Sequence, residues 1–96
     1  MRKYDTVVRS YNTNCDIPVM ENCNSIMFTN TGDNQANVDG PDGMVLYAGT
    51  PGSILGDSRT IGGNEGEILA KKAIRLSFAA PQTAGQLVEV VQKYYV

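Results

Sequence analysis

The chain contains no histidine and no tryptophan. The missing histidine excludes most. It removes the commonest general base, the commonest metal ligand, and the Ser-His and Cys-His nucleophile pairs. Clustered positive charge is also missing. The eight basic residues are scattered, adjacent only at Arg2-Lys3 and Lys71-Lys72, and the net charge is −2. Nucleic-acid binding needs a clustered basic face, so direct nucleic-acid contact is not expected. No run approaches the roughly 20 apolar residues of a membrane-spanning helix. The start, Met1-Arg2-Lys3-Tyr4-Asp5, has no apolar stretch behind its basic residues and does not read as a secretory signal. Cysteine is scarce: Cys15 and Cys23 only. Two thiolates without further Cys or His cannot make a zinc site within one chain. They read as two small buried apolar side chains in a reducing compartment. The alternative is a disulfide closing a short loop around Pro18, which adds about 2–3 kcal/mol.

What is present is a pattern of short apolar runs punctuated by Asn, Asp, Gly and Pro, which marks an antiparallel β protein. Ninety-six residues allow one domain with a thin core, because a chain of this size buries only about 60–65 % of its unfolded surface. Tyr4–Tyr11 is rich in Val, Thr and Tyr and reads as a strand. Neither of its faces is cleanly apolar, so residues 1–14 are either an edge strand or an arm reaching to another subunit. Residues 15–96 form the β domain proper. Asn12–Asp16 is turn chemistry, and Ile17–Met20 is extended because Pro18 biases its predecessor away from helix.

Ser25–Asn30 predicts a strand, with Gly32 in the following turn free to take positive φ. Gln35–Asp39 alternates, with Ala36 and Val38 inward. Gly40-Pro41-Asp42-Gly43 reads as a tight turn before a strand at Met44–Tyr47. The short connections predict that these three strands form a meander. Five of the ten glycines, Gly49, Gly52, Gly56, Gly62 and Gly63, fall in the loose segment that follows. Within it Ile54-Leu55 and Thr60-Ile61 are short apolar anchors. Ile68–Lys71 reads as strand in preference to one helical turn. Lys72–Phe78 is a strand with Ile74, Leu76 and Phe78 on one face. Gln86–Val96 is a long final strand whose more apolar face carries Val88, Val90, Gln92, Tyr94 and Val96. Seven or eight short strands would curl as one sheet. The expected fold is all-β: a small antiparallel β-sandwich, jelly-roll-like, with a small barrel as the alternative.

Three constellations have the residue types for chemistry. Asp33, Asp39 and Asp42 are loop carboxylates that read first as solvated turn residues and, as the alternative, as a converging calcium set. An EF-hand register from Asp33 fails, because Val38 stands where Gly is required and Met44 where Glu is required. Asp57, Glu65 and Glu67 are the carboxylates for a hydrolytic pair, which needs two of them about 5–9 Å apart across a cleft. A chain of this size has little room for that cleft, so the chain reads as non-enzymatic, with no cofactor. The five tyrosines, Tyr4, Tyr11, Tyr47, Tyr94 and Tyr95, suit a sugar- or protein-binding patch. The interface candidates are Tyr4, Val8 and Tyr11 on the first strand and Tyr94, Tyr95 and Val96 at the apolar end of the last.

Several stretches in order carry a resemblance. They are Ile26-x-Phe28-x-Asn30-x-Gly32, Ala36-x-Val38, Leu46 leading to Pro51-Gly52-Ser53, the Gly62–Gly66 loop, and Ile74-x-Leu76-x-Phe78. This order, over residues 24–78, resembles the short β-sandwich proteins of tailed-bacteriophage virions, of the capsid auxiliary, decoration or head-fibre-base type. It departs at Gly40–Gly43 and lacks a recognisable anchor motif, so it names no docking partner. The resemblance implies a non-enzymatic virion component, assembled in the host cytoplasm. Its partners would be copies of itself and a larger capsid or connector protein. A carbohydrate-binding or adhesion module is the competing expectation. It requires a coplanar pair of exposed tyrosines beside a carboxylate.

Overall fold

The computed structural model describes residues 3–39, 43–49 and 56–96. Eight strands run in order: β1 (Tyr4–Tyr11), β2 (Cys15–Pro18), β3 (Cys23–Asn30), β4 (Ala36–Val38), β5 (Met44–Leu46), β6 (Ser58–Gly62), β7 (Ala73–Phe78) and β8 (Val88–Tyr95). They form two four-stranded sheets, ordered β1-β8-β3-β6 and β2-β7-β4-β5. Four antiparallel pairs are nested: β1 with β8, β2 with β7, β3 with β6, β4 with β5. An eight-stranded double sheet of this nesting is a jelly roll. The molecule measures 43 × 26 × 19 Å. The short dimension suits two sheets about 10 Å apart with their side chains.

Period-two patterning puts the core between the sheets. Ile26 and Phe28 of β3, Val88 and Val90 of β8, and Ile74, Leu76 and Phe78 of β7 meet Ile17, Cys23, Ala36, Val38 and Leu46 there. Of these, Ala36, Val38, Ile74, Leu76, Phe78, Val88 and Val90 lie on the faces that the sequence marks as inward or more apolar. The chain changes sheet at every connection among the described strands except β4 to β5.

That crossing corrects the expected meander. β3 lies between β8 and β6, while β4 lies in the opposite sheet between β7 and β5. The connection between them is held at Gly32, where an added Cβ would lie 2.2 Å from the Leu87 backbone nitrogen and 2.5 Å from the Gly85 carbonyl oxygen. Gly32 is therefore demanded by close backbone approach. Positive φ belongs instead to Gly62, Gly63 and Gly66, and to Asn22 and Asp39. Residues 68–71, read as strand, are irregular. Leu69 packs against the core and donates its N–H to the Cys23 carbonyl, while Ile68 faces solvent. A single inward residue anchors this segment, so no ladder continues through it. Cys15 and Asp16 belong to β2, where the sequence suggested turn. The Gly40-Pro41-Asp42 part of the expected turn and Ile54-Leu55 lie outside the described residues. β1 is an edge strand of this domain, paired along its whole length with β8 from Tyr4↔Tyr95 to Tyr11↔Val88.

Cys15 and Cys23 are both free thiols, which sets aside the disulfide alternative. Burial raises both thiol pKa values; at Cys15 the Arg75 charge opposes the rise, and at Cys23 a backbone hydrogen bond with Ser25 does. Thiolate is the reactive form. Iodoacetamide at pH 8 should therefore label half-buried Cys15 first and fully buried Cys23 only through opening of the fold, as read by mass spectrometry over time. Equal rates would contradict this placement. The pH dependence follows in sign: the unfolded thiol ionises near about pH 8.5, the buried one at higher pH. Cys23 therefore lowers stability as pH rises above that value, and not below it.

Candidate functional site

The second sheet covers only one face of the β1-β8-β3-β6 sheet. Its other face is open. Directly paired residues of an antiparallel ladder share a face, so the register can be read across it in rows. The central row runs Val8, Val91, Met27, Thr60. On one side lies the row Thr6, Lys93, Ser25, and on the other Ser10, Glu89, Thr29, Ser58. Val8 is 57 % exposed and Met27 38 %. Exposed Val8 and Met27, with half-buried Val91 between them, thus form an apolar stripe between a row holding a cation and a row holding an anion. Large apolar groups grouped in one place on a surface mark interaction sites more often than single exposed ones do.

Beyond the Thr6–Lys93 row, along β1 and β8, lies the Tyr4↔Tyr95 pair. Their ring centroids are 4.8 Å apart, tilted by 33°, and the Lys93 ammonium sits 3.8 Å above the Tyr4 ring. Such a cation–π contact is worth about 0.5–1 kcal/mol at an exposed site. It fixes Lys93 and Tyr4 on the open face.

The six interface candidates separate. Tyr4 and Val8 are exposed on this face. Val96 is exposed beyond β8, with its N–H donated to the Lys3 carbonyl. Tyr11 is half-buried and packs against the core. Tyr94 is half-buried and donates its hydroxyl to Asp5 at 3.4 Å. Partial desolvation and the Asp5 charge push the Tyr94 pKa upward. Tyr95, only 9 % exposed, is a structural residue. Its hydroxyl accepts from the Gly66 N–H at 2.8 Å and from Asn24 Nδ2 at 3.2 Å. The cause is a β-bulge at Asn24, where the register slips from Cys23↔Tyr94 to Ser25↔Lys93. The Asn24 amide also donates to the Asn64 and Glu67 carbonyls, pinning the 63–67 loop beside Tyr95.

Met27 and Val91 are the face residues that the interface candidates omit. Both were legible: each sits at the outward position between inward residues, Met27 between Ile26 and Phe28, Val91 between Val90 and Gln92. What was not legible is that cross-strand pairing aligns them with Val8.

The carboxylate constellations do not assemble. Asp57 lies at the Asn30 end of β3, its carbonyl accepting from the Asn30 N–H. The 63–67 loop lies at the Asn24 end. Six strand residues separate those ends by about 20 Å, beyond the reach of a hydrolytic pair. Asp57 instead accepts from the Tyr47 N–H, and Glu67 from the Asn64 N–H. Asp33 and Asp39 flank β4 at opposite ends. Asp33 accepts from the Thr83 hydroxyl, while Asp39 pairs with Lys71 and accepts from the Arg75 N–H. Asp42 lies outside the described residues. No group of three potential metal ligands occurs among the described residues. The tilt of Tyr4 against a buried Tyr95 also departs from the coplanar exposed pair that glycan binding calls for.

A scan of protein-family models, a search of curated proteins and a search of solved structures each return no match to this chain.

Proposed function

We propose that this chain is a non-enzymatic assembly subunit of a virion, a capsid auxiliary or decoration protein that docks on a larger shell or connector. The observation that carries the reading is strand β1. It is eight residues long, six of them exposed, and among the described residues no strand pairs with its outer side. An open edge of that length is a template for a partner strand. Asp5 and Arg9, spaced along it, oppose indiscriminate pairing. The jelly-roll architecture and the motif order over residues 24–78 support the same reading. The architecture is shared by viral capsid and lectin domains, so it does not choose between them by itself. The open edge and the absence of a coplanar tyrosine pair among the described residues favour assembly.

The test is co-sedimentation. The purified chain is mixed with shells assembled from the coat protein encoded in the same genome. Saturable pelleting at a fixed ratio per coat subunit is the expected result. A chain that stays in the supernatant at every concentration overturns the reading.

A further inference from the structure

We infer that the open face of the β1-β8-β3-β6 sheet pairs two copies of this chain face to face about a twofold axis lying along the Val8–Val91–Met27–Thr60 row. This rests on the assembly reading but uses a different surface, leaving the β1 edge to the larger partner.

The face is symmetric about this row. Take the Val8–Val91–Met27–Thr60 row as an axis in the plane of the interface. Rotation by 180° lays Val8 on Val8, Val91 on Val91 and Met27 on Met27 of the second copy. It also exchanges the flanking rows. Lys93, two residues to one side of Val91, then faces Glu89 of the second copy, two residues to the other side of its Val91. Thr6 faces Ser10, and Ser25 faces Thr29. The face is therefore self-complementary in charge and in polarity, as an isologous contact requires. Among the described residues Glu89 forms no ion pair within its own chain. Lys93 is already held over Tyr4 on this side.

Size sets the strength. Four strands about 4.8 Å apart and eight residues of about 3.4 Å each span roughly 500 Å² per copy. Two copies bury about 1,000 Å², which lies at the small, transient end of specific interfaces. The stripe is flat and short, so the dimer is a weak one that forms at high local concentration, as on a shell surface.

The experiment is sedimentation equilibrium of the full chain from roughly 10 to 500 µM in about 50 mM salt, where exposed charges are least screened. The native chain should show a monomer–dimer equilibrium in this range. Glu89→Lys and Lys93→Glu each place like charges opposite one another twice in the dimer, and each should weaken self-association by about tenfold or more. An equimolar mixture of the two variants should associate more tightly than either alone, because both 89–93 contacts of the mixed dimer then pair opposite charges. The doubly substituted chain, E89K with K93E, should recover native self-association. Unchanged association in both single variants, no gain on mixing, or a native chain monomeric throughout would overturn the inference. Circular dichroism checks that each variant is folded. Both single variants should still pellet with shells. Loss of pelleting with dimerisation intact would sink the edge-docking reading instead, so the two failures are distinguishable.

Discussion

Replacing Phe28 with alanine is expected to destabilise the fold by about 3–5 kcal/mol, the range for emptying a large aromatic site in a packed core. Phe28 is completely buried in the cluster shared by both sheets. A domain of this size has a total stability of about 5–14 kcal/mol, so the variant keeps little margin. Its neighbour Met27 faces the opposite way and is exposed. Met27→Ala should cost well under 1 kcal/mol. Urea titration of the two variants measures the contrast, with the slope unchanged and only the midpoint moving. Similar midpoints for the two would mean that the alternation of β3 is misplaced.

The second large effect is expected at Asn30. This residue is fully buried at the end of β3. Its amide donates to the Asn34 carbonyl at 2.8 Å and to the Leu46 carbonyl at 2.9 Å, and its Oδ1 accepts from the Gly32 N–H at 3.1 Å. Leu46 belongs to the opposite sheet, so one side chain joins the two layers. Asn30→Ala removes three hydrogen bonds and leaves buried partners unsatisfied, and should cost about 3–4 kcal/mol. Asn30→Asp keeps the shape but turns a carboxylate towards two carbonyl oxygens. The fold raises the pKa of that carboxyl, so its native state binds the proton more tightly than the unfolded chain does. The variant should lose stability as pH rises above about 4, where the unfolded carboxyl ionises. Urea midpoints at pH 4 and pH 7 read the difference. Equal midpoints would place Asn30 outside the seam.

Asn30 also shows why part of this fold was legible in the sequence and part was not. The strands with clean alternation, Ile26 with Phe28, Ile74 with Leu76 and Phe78, and Val88 with Val90, announce both their type and their inward face. Burial enforces that pattern residue by residue. Strand partners are different. β3 and β4 are consecutive and closely spaced, which suggested pairing, but the crossing at Gly32 sends them to opposite sheets. That choice depends on backbone contact with Gly85 and Leu87, more than fifty residues away.

The buried amides were hidden for a related reason. Gln92 accepts from the Met20 N–H and donates to the Pro18 carbonyl. Gln86 donates to the Asn12 carbonyl. Each serves backbone groups that come near only after folding. A local reading assigns Asn and Gln to solvent, and here four of them, Asn24, Asn30, Gln86 and Gln92, are buried. The candidate surface was half legible. Tyr4 and Val8 were identified, but their alignment with Val91 and Met27, and the opposite charges flanking them, exist only in the register.

The nesting of the strands governs how the chain acquires its shape in time. β8 lies between β1 and β3, and its partners were synthesised some sixty to ninety residues earlier. A ribosome delivers the N-terminal strand first, yet that strand has no ladder to join until the eighth emerges. Until then β1 and β3 present bare backbone on sides the finished fold closes. Long-range pairing of this kind makes folding slow and leaves intermediates open to other chains. The charged and polar residues along β1, Asp5, Thr6, Arg9 and Ser10, then protect the growing polypeptide during that interval, before any partner is present for the finished edge to meet.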